Sequence, residues 1–381
     1  MDYRRISADC HLDLPWMPPE LFVSEASAAL RDRMPHVVDG PQGPYWTTNT
    51  GKNFGFVNGV GPTGFKYVAG ENGQADKMAA TALYSDGEKG IRRVSDPHLR
   101  IKDMDRDGVD AEVIYGILGA AARLNDLDVS NEMQRIYNNW LVDFQSHYPD
   151  RQLPLACIPS GDVNASAAEI RRVAKLGLRG VEVATVGDMM PLWHPYWEPM
   201  WQAINEVNLP VHFHTFPQMS KVAAIEGVSG DVRKAAVFCG ITGFQLHLVD
   251  ILAGMMGATV FERYPNLRVV FGESGAGWLP YVLDRMDYEF EFYFREIPLK
   301  MPPSEYWKRQ CKATFQYDCV AAELLHRIGE NTVMWGCDFP HADGTWPDST
   351  GFIDRQFAGL APDVVRKLTC ENAGKLYGFM N

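Results

Sequence analysis

The sequence predicts an α/β protein of the (β/α)8 class, a TIM barrel. Eight short apolar, β-branched runs recur along the chain, and amphipathic stretches separate most of them. The competing architecture, an open doubly wound sheet, would set a glycine-rich phosphate turn between an early strand and its helix. No G-x-G-x-x-G is read after an early strand.

The runs are "YRRISADC" (3–10), "DAEVIYG" (110–116), "LPLACIPS" (153–160), "RGVEVAT" (179–185), "LPVHFHT" (209–215), "NLRVVFGES" (266–274), "KATFQYD" (312–318) and "NTVMWGCD" (331–338). Runs of this length, bounded by turn residues, read as buried strands. "NEMQRIYNNWLVDFQSHYP" (131–149) and "SAAEIRRVAKLG" (166–177) repeat apolar residues at helical spacing. "LWHPYWEPMW" (192–201) reads as an aromatic-rich turn and helix start. The interval 14–100 is far longer than one helix needs. Its glycine, asparagine and aromatic content is too aromatic for a flexible linker. It is expected to be an ordered insertion over the barrel mouth, with a hairpin and a helix, serving as a lid or subunit contact. One domain, 1–381, then contains everything.

Composition narrows the function classes. The 381 residues are 46 % hydrophobic, enough for a large core, and the formal net charge is −12. No Lys/Arg run occurs, so no nucleic acid partner is expected. No long uninterrupted apolar stretch occurs, so no membrane span is expected; the N-terminus does not read as a signal peptide. Cys10, Cys157, Cys239, Cys311, Cys319, Cys337 and Cys370 stand singly, which suggests reduced thiols and a cytoplasmic protein.

In such a barrel the chemistry sits at the C-terminal ends of the strands. The first strand ends in Asp9, His11 and Asp13, at alternate positions and so on one face. The fifth ends in His212 and His214, the sixth in Glu273, the seventh in Asp318, and the eighth in Asp338 followed by His341. Taken singly, each has a plain structural explanation, such as a hydrogen-bonded core histidine or a capping aspartate. Together they are a donor set for Zn2+, Mn2+ or Fe2+. Burying several carboxylates side by side without a cation costs several kcal/mol, so a metal site is expected. The pairs Asp9-x-His11 and His11-x-Asp13 are both open as ligand frames. Trp16, Trp46, Phe54, Phe56, Tyr115, Phe216, Phe339 and Trp346 fall near the expected mouth, where they either line an aromatic pocket or seal the insertion onto the barrel. Arg92, Arg93 and Arg100 are candidates for a substrate carboxylate or for solvated helix charges.

Four segments carry a family resemblance: "ADCHLDLP", "LPVHFHT", "FERYPNLRVVFGESGAGWLPYVLDRMD" and "VMWGCDFPHADGTWPDS". Through them the chain resembles the amidohydrolase superfamily, in the branch with aminocarboxymuconate semialdehyde decarboxylase and the γ-resorcylate and 5-carboxyvanillate decarboxylases. The likeness runs from 6 to 378. It implies two metal ligands on the first strand, with Asp9 and His11 preferred and Asp13 beside them, then His214 and Asp338. The fourth strand, "RGVEVAT", has no lysine to bridge two ions, so one Zn2+ or Mn2+ is implied. A homodimer is implied as well. Glu273 stands where the well-known decarboxylases of the branch carry histidine.

These expectations give a metal-dependent non-oxidative decarboxylase of a substituted aromatic carboxylate, with no organic cofactor. Asp338 would protonate the ring carbon, with Glu273 and His341 as the other catalytic candidates. The alternative is a hydrolase acting on an amide, lactone or C–C bond through metal-activated water, with Asp338 or Glu273 as base.

Overall fold

A computed structural model of the chain describes residues 2–185, 189–215 and 230–380. Strand β1 (Ile6–His11) is followed by an antiparallel sheet of β2 (His36–Gly40), β3 (Gly43–Thr47) and β4 (Asn53–Phe56). Then come β5 (Ala111–Tyr115), β6 (Gln152–Pro154), β7 (Ala156–Ile158), β8 (Val181–Val183), β9 (Val211–His214), β10 (Val269–Gly272), β11 (Cys311–Phe315) and β12 (Val333–Trp335). Apart from β2–β4 these fall inside or within a residue of the eight expected runs. Helices Leu127–Ser146, Val163–Lys175 and Glu198–Val207 occupy the expected amphipathic stretches.

All neighbouring barrel strands pair in parallel. β6 and β7 are two halves of one strand. The first pairs with β5 and the second with β8, while Leu155 between them donates to Ile114 O (2.8 Å). Closure between β12 and β1 uses bonds beyond the regular ladders. Asp338 N donates to Asp9 O (2.8 Å), His11 N to Phe339 O (2.7 Å), and Cys337 N to Ser7 Oγ (2.8 Å). The result is the (β/α)8 barrel.

Inward-facing Ile6, Ala8, Val113, Leu155, Val270 and Met334 form a small cluster, joined by Tyr377 of the C-terminal helix Asn372–Tyr377. Outward-facing residues such as Phe213 and Phe271 pack against Trp201 and Trp307 of the surrounding helices. On β1 the register shifts between Ser7 and Cys10. Such a shift breaks the strict alternation of faces. Ala8 therefore belongs to the inner cluster while Cys10 belongs to the outer core.

Within 14–100 the structure has three strands and the short helices Gly73–Ala80 and Leu83–Glu88, more than one hairpin and one helix. "GVGPTG" (59–64) here does match the G-x-G-x-x-G string. It forms a turn after the antiparallel strand β4, with Gly64 O accepting from Phe56 N (2.8 Å), and it opens no helix. A nucleotide-binding turn needs both a preceding parallel strand and a following helix N-terminus.

Gly336 follows β12 where the seam is tightest. A Cβ there would lie 2.5 Å from Asp9 Cβ and 2.8 Å from Asp9 N. Gly336→Ala is expected to destabilise the fold by about 1–3 kcal/mol, the usual cost of overpacking a rigid site. Denaturant unfolding checks this. Unchanged stability would mean that the seam is looser than described.

Candidate functional site

The strand ends converge on a buried group of acids and imidazoles. Asp9, His11 and His214 offer donor atoms all within 4.8 Å of one another, and so do His11, Glu273, Asp338 and His341. β1 delivers Asp9 and His11, β9 delivers His214, and the turns after β10 and β12 deliver Glu273 and Asp338. These last two take left-handed backbone angles, φ 48° and 59°. Non-glycine residues enter that region at a cost, and such positions cluster at functional sites.

Asp9 is held from one side. Its Oδ2 accepts from Glu273 N (2.8 Å) and from Thr314 Oγ1. Its Oδ1 lies 3.4 Å from His11 Nε2 and 3.8 Å from His214 Nε2. His11 Nε2 is also 3.0 Å from Asp338 Oδ1. His214 Nδ1 donates to Thr215 O (2.7 Å), which turns Nε2 toward Asp9 and toward Glu273 Oε2 (3.3 Å). Orientation of a histidine by a carbonyl in this way is common behind metal ligands. Asp9 Oδ1, His11 Nε2 and both carboxylate oxygens of Asp338 are buried without a hydrogen-bond partner among the described residues. Orphaned buried acceptors are costly, and a divalent cation among these atoms would satisfy them. The donor set suits Zn2+ or Mn2+.

Asp13 points elsewhere. Its Oδ2 accepts from His341 Nε2 (2.7 Å), and His341 Nδ1 lies 3.2 Å from Asp338 Oδ1. The His341 ring stacks on that of His11, with centroids 3.9 Å apart. Burial works against charge on His341, but Asp338 and Asp13 outweigh it and hold the imidazole well above its usual range. Burial and His341 likewise pull His11 down, yet Asp338 and Asp9 raise it to about 9. Glu273 is raised well above a normal carboxyl, first by burial and then by Asp338 and Asp343.

A cavity of about 70 Å3 opens over the group, lined by His11, Asp13, Glu182, His214, Glu273 and His341, with Pro62 from the insertion and Asp343 at its edge. Four lining residues are carboxylates, and no Lys, Arg, Phe, Tyr or Trp lines it among the described residues. Of the two roles open to the mouth aromatics, sealing is the one found for most of them. Trp16, Trp46, Phe54, Phe339 and Trp346 are buried in the core, sealing the insertion onto the barrel, and Phe56 lines a separate groove in the insertion. Tyr115 packs beneath the site, its ring 4.8 Å from that of His214. Phe216 lies outside the described residues.

The remaining candidates are structural. His212 donates from Nδ1 to Val181 O (2.8 Å) and accepts from the Tyr377 hydroxyl at Nε2 (2.7 Å). Burial drives its imidazole down to about 4, so it stays neutral. Asp318 caps the helix Cys319–Glu323 and accepts from Ala276 N and Gly277 N (2.8 Å each). Arg100, fully buried, forms a two-pronged pair with Glu112, and Arg93 pairs with Asp103. Neither is a solvated charge or a cavity residue. Arg92 lines the groove of the insertion.

Glu182 on β8 escaped the sequence reading. It lines the cavity and accepts from Gly116 N (2.9 Å) at Oε2. A single acid between two valines in a buried run was the available signal.

The Amidohydrolase family model matches residues 8–379. The 2-amino-3-carboxymuconate-6-semialdehyde decarboxylase of Dictyostelium discoideum is 24 % identical over 252 residues, which is 64 % of this chain and 67 % of that protein. Among solved structures, amidohydrolase map2389c from Mycobacterium avium subsp. paratuberculosis superposes with TM-score 0.77 at 20 % identity, covering 99 % of this chain and 100 % of the other. The 5-carboxyvanillate decarboxylase LigW2 from Novosphingobium aromaticivorans, whose structure holds manganese and a nitrobenzoic acid, superposes with TM-score 0.67 at 21 % identity, covering 99 % and 97 %.

Burial raises the Glu182 carboxyl from 4.5 to about 7. A raised folded-state value means stability is fully present below pH 4.5 and falls as pH rises through 7. In metal-free protein, Glu182→Gln is therefore expected to match the parent in acid and to exceed it above neutrality, by up to about 3 kcal/mol. Melting temperature against pH checks this; a gap that does not vary with pH would refute it.

Proposed function

The chain belongs to the amidohydrolase family, and we propose that it is a metal-dependent, non-oxidative decarboxylase of a substituted aromatic carboxylate. One divalent ion, Zn2+ or Mn2+, would be held by Asp9, His11, His214 and Asp338. The observation that carries this reading is the set of buried polar atoms without a hydrogen-bond partner among the described residues, Asp9 Oδ1, His11 Nε2 and the Asp338 carboxylate, gathered where β1 and β12 end. The Dictyostelium relative and the manganese-containing LigW2 structure support the choice of reaction and ion.

When bound, the ion supplies positive charge to orient the substrate carboxylate and an adjacent hydroxyl. The cavity needs that charge, because its own lining is acidic. His341 holds a proton at Nδ1 beside Asp338 Oδ1, and Asp13 keeps the Nε2–H of His341 in place. Asp338 delivers that proton to the ring carbon. The ring carbon takes up that proton, and the electron pair of the ring–carboxylate bond returns to the ring as CO2 departs. Glu273, 3.3 Å from His214, borders the cavity and positions the substrate. Pro62 at the cavity edge supports a lid role for 14–100. A cavity of about 70 Å3 is small for an aromatic acid, which fits a lid that moves to admit one. Seven free cysteines support a cytoplasmic location, and an exposed aromatic face supports a homodimer.

A second reading, hydrolysis, is favoured by one observation. Glu273 lies within reach of His214 and adds an acid, not a cationic imidazole, to a lining without Lys or Arg among the described residues.

Replacing Asp9, His11, His214 or Asp338 by Ala should each lower bound metal from about one equivalent toward zero, whereas Asp13→Ala should retain it. Elemental analysis of the purified variants decides. Full occupancy in Asp338→Ala would remove the proposed centre, and loss in Asp13→Ala with retention in Asp9→Ala would move it to the other frame.

If Glu273 is the base, as in the hydrolytic reading, Glu273→Gln should keep fold and metal but reduce turnover by roughly 10²–10⁴-fold. Screening aromatic carboxylates for CO2 release, with H2 18O as solvent, tests the reaction itself. CO2 without incorporation of 18O into the aromatic product is expected; incorporation would select hydrolysis.

A further inference from the structure

The insertion has an opening of its own, separate from the cavity over the acids. It is a groove of about 390 Å3, within the range of small-molecule sites, about 300–1,000 Å3. Phe56, Tyr67 and Tyr84 supply its rings, and Lys66 and Arg92 its cations. Tyr67 stacks on Tyr84 with centroids 4.9 Å apart and donates its hydroxyl to Asp76 Oδ1 (2.7 Å), so the ring pair is fixed in advance. Arg92 is half-buried, and its guanidinium has no hydrogen-bond or ion-pair partner among the described residues. Lys66 is exposed and donates to Gln42 O (3.1 Å). Among the described residues the lining has one acid, Glu88, which is exposed.

Groove and inner cavity share a wall. Gly59 lines the groove and Pro62 the cavity, so the turn 59–64 stands between them. Val60 and Phe65 pair across the base of that turn. The turn is seated on the segment that follows Asp13: Asn58 N donates to Pro15 O (2.8 Å), and a Cβ on Gly64 would lie 2.9 Å from Pro15 Cγ. Asn58, in the groove wall, takes a left-handed φ of 56°. Its Nδ2 donates to Gly87 O (2.9 Å), while its Oδ1 is buried without a partner. Costs of both kinds gather at ligand clamps and switch regions. Burial pushes the Tyr84 hydroxyl up to about 12 and the charge on His341 opposes the rise, so this wall of the groove is within electrostatic reach of the candidate centre.

We propose that the groove is an outer binding site for an aromatic carboxylate on its way to the inner cavity, with the carboxylate on Arg92 and the ring against the Tyr67–Tyr84 pair. The passage inward rests on the decarboxylase reading; the binding does not. Charge is the reason for two stations. Four carboxylates line the inner cavity and no Lys or Arg does among the described residues, so an approaching anion is repelled until it is near the metal ion. The groove offers the opposite, cations beside ring faces. A free guanidinium can grip a carboxylate by two parallel hydrogen bonds, and aromatic faces take a ring by offset or edge contact. Displacement of the turn 59–64 then opens the wall between the two.

Photolabelling of the metal-loaded protein with 4-azido-2-hydroxybenzoate, followed by peptide mapping, tests the proposal. Label is expected on segments 56–67 and 84–92, displaced by 2-hydroxybenzoate and not by 2-hydroxybenzamide, which lacks the charge. Read by that displacement, Arg92→Glu should raise the dissociation constant of 2-hydroxybenzoate at least about tenfold, and Arg92→Lys should recover most of it. Melting temperature and metal content should match the parent in both variants. With an acid that is turned over, Arg92→Glu should lower kcat/KM by a similar factor, the loss falling on KM. Label confined to peptides carrying His11, His214 or Asp338, groove binding indifferent to Arg92→Glu, or a loss falling on kcat would each overturn the outer site. A labelled, Arg92-dependent groove without CO2 release from any acid would uphold the site and remove the decarboxylase reading instead.

Discussion

Two main-chain hydrogen bonds organise this molecule: Asp338 N to Asp9 O and His11 N to Phe339 O. They close the barrel between its last strand and its first. They also use the residues that carry the candidate chemistry, so closing the fold and assembling the site are one event. Asp9, His11 and Asp338 meet because their backbones touch, and short side chains suffice. Gly336 permits the approach, and the left-handed angle at Asp338 turns its carboxylate back toward His11. Strain at that angle, about 1–3 kcal/mol, is tolerated because bonds on both sides of the residue leave the backbone no alternative.

The seam has a buttress. Arg100, from the helix Pro97–Asp107, is fully buried; it donates to His11 O (2.9 Å) and Val94 O (3.1 Å) while Glu112 of β5 grips its guanidinium. The guanidinium also lies over the Phe339 ring at 5.1 Å. One cation thus ties the end of β1, the start of β5 and the turn after β12. A buried pair of this kind is poor evidence of net stability, since desolvation offsets attraction. Its value here is geometric, because it fixes the His11 carbonyl.

Charge around the site is unbalanced by design of the fold. Asp9 and Asp338 lie beneath a cavity whose lining adds four more carboxylates. Against these stand His11, His214 and His341. Burial resists the resulting negative charge, which is why Glu182 and Glu273 are both pushed upward. His341, clamped between Asp13 and Asp338, answers part of it. A divalent cation would answer much of the rest, and the same imbalance makes the place attractive to one.

Much of the fold was legible in the chain. Eight β-branched runs identified eight barrel strands, because a strand covered on both faces must be apolar along its length. The strand-end acids and histidines were legible for the converse reason: polar residues closing such runs are rarely accidental. What could not be read was direction. Period two set Asp9, His11 and Asp13 on one face, yet Asp13 turns to His341, and the register shift after Ser7 decides which β1 side chains look inward. Arg100 looked like a surface charge because its partner, Glu112, stands on another strand and nothing local announces the pair. The mouth aromatics could not be assigned to a pocket or to a seal, because burial by the insertion depends on long-range packing. Glu182 was overlooked because a lone acid between two valines signals nothing about what it faces until the turn after β5, which holds it through Gly116 N, is placed. Local pattern, set by hydrophobic periodicity and chain geometry, was enough to determine the barrel and its donor residues. Which donors face one another was decided by closure of the sheet, since contacts between residues some 330 positions apart exist only in three dimensions.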